Sequence, residues 1–188
     1  MAHAKILGSH CQTDIVDMED GGRGIVATFD DYEERLRQEK TLMDASEDIL
    51  DFCFKWRQQM KNVRIVGIGH GDVDARRGRT CAQHVLCEVR GHRQMDQDPE
   101  LWEKFWEDPL DFLHRIGYRP VVEPQQGDIV VYGNSLFPGG MRMGLPKHFG
   151  VVHGQRVHSK LSAGHVLEHD LDQTLRHYGN QAAILGQR

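Results

Sequence analysis

The sequence predicts an α+β fold in which helices pack on an antiparallel sheet, and three observations carry that reading. Apolar residues at helical spacing fill much of the first two thirds of the 188-residue chain. Short runs rich in Ile and Val, parted by turn residues, fill the last third, as strands of an antiparallel sheet do. A hairpin-plus-helix pattern precedes both, so residues 1–60 read as an N-terminal extension packed on a core of residues 61–188.

The extension opens with "TDIVDM" and "GIVATF", two strand-like runs joined by "EDGGR", whose glycines suit a tight turn. Asp30 or Asp31 then caps a helix whose acids come early and bases late, in line with the helix dipole. Ile49, Phe52, Cys53, Trp56 and Met60 keep the helical period, and Ser46 near "MDASED" marks the cap of a second helix. Cys53 lies on this apolar face and reads as core.

"NVRIVGIGHGDVD" reads as a strand entering a glycine-rich loop. Without a following GK[ST] or dinucleotide spacing, its GxGxG is a weak phosphate signal. "RTCAQHVLCEVRGH" reads as a helix with Thr80 as cap, Ala82, Leu86 and Val89 on one face, and Gly91 at its end. "DPELWEKFWEDPLDFLHRIGYRP" gives two short helices, each opened by Asp-Pro. "GDIVVYG", "HFGVVHG" and "RVHS" follow as strands, "EHDLDQTLRHYG" as a late helix, and "AAIL" as a last strand.

Composition narrows the function. With 39% hydrophobic and 27% charged residues the chain is ordinary for a globular protein, and its net charge of −5 argues against general nucleic-acid binding. Four cysteines without a CxxC make no disulfide scaffold. Neither a secretory signal nor an apolar run long enough to span a membrane is present, so the expectation is a soluble protein made in the cytoplasm.

Cys81 is the residue with chemical promise. At the first position of a helix, free N–H groups and the dipole favour a thiolate, and Arg79 pushes the same way. A thiolate needs a base, and "KHFGVVHGQRVHS" supplies His148, His153 and His158. On a hairpin, His148 and His158 share a face if the loop is the three residues His153-Gly154-Gln155. His153 then falls in the turn, and three histidines do not converge on one metal.

Cys81 at a helix head, then "QQGDIVVYG", then "KHFGVVHGQRVHS", resembles in that order the NlpC-type cell-wall cysteine peptidases, a papain-like family related to the CHAP amidases. The resemblance covers roughly residues 63–170. It implies a papain-like core and a Cys81–His148–His158 triad that cleaves amide bonds in peptidoglycan-type peptides through a thioester acyl-enzyme, with no cofactor and no metal. His148 would take the Cys81 proton to give a thiolate–imidazolium pair, and His158 would orient His148. Asp72, Asp74, Arg79 and Thr80 stand where substrate contacts are expected. Thr80-Cys81-Ala82-Gln83 departs from the family's Asp-Cys-Ser-Gly. Wall-directed members are usually exported, so a chain without a signal implies a phage-associated setting or a non-classical route. Two other classes are kept: a binding or assembly module whose chemistry is vestigial, and a metalloprotein using His148, His153, His158 and His165 or His169.

Overall fold

The structure is a computed structural model that describes residues 11–18, 21–60, 62–68, 81–90, 104–105, 107–136, 146–161 and 164–187. Among these residues a nine-stranded antiparallel sheet dominates. Eight strands run in the order β1-β2-β9-β5-β6-β7-β8-β3, and β4 pairs with β9 beside this path.

The N-terminal hairpin forms as its sequence requires. β1 (Cys11–Asp17) pairs with β2 (Arg23–Phe29), and Gly21 takes a positive φ of 79° in the connection. This hairpin is part of the main sheet, because β2 pairs with β9 (Gln181–Gln187) from Val26↔Ala183 to Thr28↔Gln181.

Helix α1 (Tyr32–Asp44) follows, with Asp31 at its N-cap position. Helix α2 (Ile49–Gln59) is capped by Asp48, whose carboxylate accepts from the N–H groups of Leu50 and Asp51, both at 2.8 Å. Ser46, the cap expected from the sequence, instead donates its hydroxyl to the Leu42 carbonyl at 2.7 Å. Two later helices are α3 (Cys81–Arg90) and α4 (Pro109–Arg115), the latter capped by Asp108 on the Asp111 N–H at 2.9 Å.

The remaining strands are β3 (Arg64–Gly67), β4 (Tyr118–Pro120), β5 (Ile129–Gly133), β6 (Pro146–His153), β7 (Arg156–Lys160) and β8 (Val166–His169). Alternation along β5, β6 and β9 divides the core. Ile129, Val131, Phe149, Val151, Ala183 and Leu185 face α3 and α4. Val130, Tyr132, Val152, Ala182 and Ile184 face the other way, against Phe29 and Leu171. Phe52, Cys53 and Trp56 of α2 cover Leu161, Leu167 and Leu175. Full burial of side chains of this size contributes on the order of 2 kcal/mol each.

Two expectations are corrected here. The fold is not the papain-like α+β core: nine strands in one antiparallel sheet, with four helices among the described residues, make it more sheet-rich than that core. The late helix expected over "EHDLDQTLRHYG" is strand β8 followed by two 3-10 turns, Leu171–Gln173 and Arg176–Tyr178. The reason is side-chain competition. Arg176 spends its guanidinium on the carbonyls of Thr174 and Asp172, at 3.1 and 2.7 Å, and on Asp31, which fixes the segment in tight turns.

Candidate active site

Helix α3 lies against β6 and β7 and places Cys81 at its first residue. Cys81 is half-buried, and the backbone N–H groups of Phe149 on β6, of Ala82 and of Cys81 itself lie close enough to its sulfur to favour the thiolate. Burial nonetheless dominates and pushes the thiol above its ordinary value, with the three amides offsetting only part of that effect.

His148 immediately precedes Phe149 and projects from the opposite face of the sheet. It is fully buried, stacked on Tyr178 with ring centroids 3.9 Å apart, and 5.8 Å from the Tyr132 ring. Burial holds its pKa well below the ordinary histidine value, and the neighbouring His169 and His84 add to this. Neither ring nitrogen has a hydrogen-bond partner among the described residues. Tyr178 links the two sequence-predicted residues, for it stacks on His148 and lies within electrostatic reach of the Cys81 thiol.

His158 is not with them. The hairpin turn is the two residues Gly154-Gln155, with His153 paired to Arg156 and glycine first at φ 63°, the pattern of a II′ turn. The three-residue loop expected from the sequence would have set the other parity. His158 therefore pairs with Val151 and points to the face opposite His148. It stacks on His153 at 4.3 Å and bonds Glu168 through Nε2 at 3.2 Å. Along α3 it lies by Glu88 and Val89, about 10 Å of helix away from Cys81. The Cys81–His148–His158 triad is thus not assembled. Asp72, Asp74, Arg79 and Thr80 lie outside the described residues.

Three further residues now matter: Tyr178 and Glu168, absent from the sequence reading, and His169, which entered it only as an alternative metal ligand. His169 is fully buried on the His148 face, with Nδ1 2.7 Å from the Asp170 carbonyl and Nε2 2.8 Å from the Ser159 hydroxyl. A carbonyl only accepts, so Nδ1 carries the proton and Nε2 accepts from Ser159. Burial lowers the His169 pKa to about 4. Tyr178 was hidden within the segment read as a helix. Glu168 is opposed by desolvation but held below the usual carboxylate range by His158, Arg64 and Arg156.

A cleft of about 360 Å³ opens at the far end of α3 and is lined by Glu88, Gln125, Gln126, Asp128, His153 and His158. Neither Cys81 nor His148 lines it. No helix among the described residues is long and apolar enough to cross a membrane. Comparison of the chain with protein-family models, curated proteins and solved structures returns no match.

Proposed function

We propose that this chain is a cysteine-dependent hydrolase that cleaves amide bonds in peptidoglycan-type peptides, with Cys81 as nucleophile and His148 as base. The observation that carries the reading is the place of Cys81 at the first residue of α3, packed on β6 with the backbone N–H groups of Phe149, Ala82 and Cys81 near its sulfur. Those donors suit a developing thiolate and, once it has attacked, a developing oxyanion. The substrate class rests on the motif order from Cys81 to "RVHS" alone.

The electrostatics favour a neutral resting pair over the ion pair expected from the sequence. Burial raises the Cys81 thiol and lowers the His148 imidazolium, and both shifts oppose proton transfer before substrate arrives. For the proton to pass from Cys81 to His148 as sulfur attacks the carbonyl carbon, the imidazole must reach the sulfur from the face opposite Phe149, where it rests stacked on Tyr178. The tetrahedral intermediate collapses, His148 returns the proton to the leaving amine, and a thioester remains on Cys81. Water, deprotonated by His148, then releases the acid and restores the thiol. His158 has no part in these steps.

Mass spectrometry of muropeptide digests tests the assignment. Wild type and Cys87→Ala are expected to release new fragments and Cys81→Ala none; equal digestion by Cys81→Ala overturns it. A second reading, a binding module with lapsed chemistry, draws on the complete burial of His148 and its unpartnered ring. An electrophilic peptide probe that labels Cys81 no faster than the buried Cys53 selects that reading.

A further inference from the structure

The β6–β7 hairpin and strand β8 bring together three side chains that the proposed hydrolase chemistry leaves unused. The two-residue turn puts His153 and His158 on one face, and β8 pairs Glu168 directly with His158. One donor atom from each of His153, His158 and Glu168 lies within 4.8 Å of the other two. His153 is exposed, while His158 and Glu168 are partly covered, so an ion reaches the group without opening the core.

From this geometry we propose that His153, His158 and Glu168 form a binding site for a divalent ion of the zinc class. Two imidazoles and one carboxylate are a ligand set that zinc takes readily, whereas magnesium and calcium prefer oxygen donors. Tetrahedral zinc with bonds of about 2.1 Å needs its ligand atoms about 3.4 Å apart. His158 Nε2 and Glu168 Oε2 already stand 3.2 Å apart, so that edge of the tetrahedron is in place. His153, at the end of its strand, has only to swing inward out of its stack on His158.

The surroundings support one ion with an exchangeable position. Arg64 holds the other carboxylate oxygen, Oε1, at 3.3 Å, which leaves Oε2 as the monodentate ligand and fixes the carboxylate plane. Three protein ligands leave the fourth position to water or a small ligand. His153 and His158 themselves line the cleft with Glu88, Gln125, Gln126 and Asp128, so the site borders it. The nearby Arg156 guanidinium does not compete for the carboxylate, since it bonds Asp170 at 2.9 Å.

The site is separate from Cys81, which lies at the opposite end of α3, so its test is independent of hydrolysis. Full-length protein without an affinity tag is titrated with zinc chloride against a chromophoric chelator. One zinc per chain is expected at low-micromolar affinity or tighter, with magnesium and calcium failing to displace it. His153→Ala, at an exposed hairpin position that leaves the core untouched, is expected to weaken binding at least tenfold. His158→Ala and Glu168→Gln are expected to do the same, and Cys81→Ala to leave affinity unchanged. Absence of binding at 100 µM zinc overturns the proposal, as does equal affinity in a His153→Ala/His158→Ala double variant. Circular dichroism on each variant shows that the fold persists.

Discussion

His148 lies flat against Tyr178, with the two ring planes inclined by only 6°. The contact joins strand β6 to the 3-10 turn Arg176–Tyr178, and Gly179 makes that turn possible. Its φ is 127°, and a Cβ there would collide with the Gly133 carbonyl.

The stack predicts a division between two substitutions at Tyr178. Phe keeps the ring and its contact area, so Tyr178→Phe is expected to retain kcat within about threefold of wild type. Leu removes the flat partner that orients the base, and Tyr178→Leu is expected to lose kcat at least tenfold with a smaller change in KM. Steady-state hydrolysis of a muropeptide checks both. Equal kcat in the Leu and Phe variants would separate the stack from the chemistry.

Acid should destabilise the fold before any carboxylate titrates in the unfolded chain. His148 and His169 are neutral when buried, and both folded pKa values lie below the unfolded 6.5. The unfolded chain then binds more protons, so stability is full above pH 6.5 and falls as pH drops toward the folded values. For His169, with a folded value of about 4, the loss is about 2 kcal/mol by pH 5. Glu39, raised chiefly by burial, works in the opposite sense, so the variant comparison is the decisive one. Urea unfolding at pH 7.5 and pH 5 is expected to show a shallower pH slope in His148→Phe than in wild type. An unchanged slope would mean that His148 is not held neutral by burial.

Arg176 is fully buried and donates from Nε and Nη2 to one oxygen of Asp31, at 2.8 and 2.6 Å, while its guanidinium lies 4.0 Å over the Phe29 ring. Loss of one partner strands the other charge in the interior. Asp31→Ala is expected to cost about 3 kcal/mol, read by urea denaturation followed by far-UV circular dichroism. A cost below about 1 kcal/mol would show that Glu39 and the carbonyls suffice for Arg176.

Much of this architecture could be read locally, and what could not depended on partners distant in sequence. The Ile/Val runs of β2, β5, β6 and β9 and the Asp-Pro start of α4 declare themselves, because alternation and capping are short-range signals. Cys81 at a helix start was legible for the same reason. The face of His158 was not, since one residue more or less in a turn inverts every side chain beyond it. Leu171 and Leu175 carry a helical spacing, yet Arg176 answers to Asp31, 145 residues away, and turns the segment instead. The meeting of Glu168 with His158 depends on the β7–β8 register, which no local pattern sets. The papain-like expectation failed in the same way: motif order carried it, and pairing between remote strands decided otherwise.

Strand β9 lies between β2 and β5, and Thr28 is separated from its neighbour Gln181 by 153 residues of chain. On a translating ribosome the N-terminal hairpin emerges early and then waits for its sheet neighbour to be made. Until β9 arrives, β2 and β5 both present open hydrogen-bonding edges. Assembly of the sheet is therefore gated by synthesis of its central strand, and truncation before Gln181 would leave two incomplete half-sheets prone to pair with other chains.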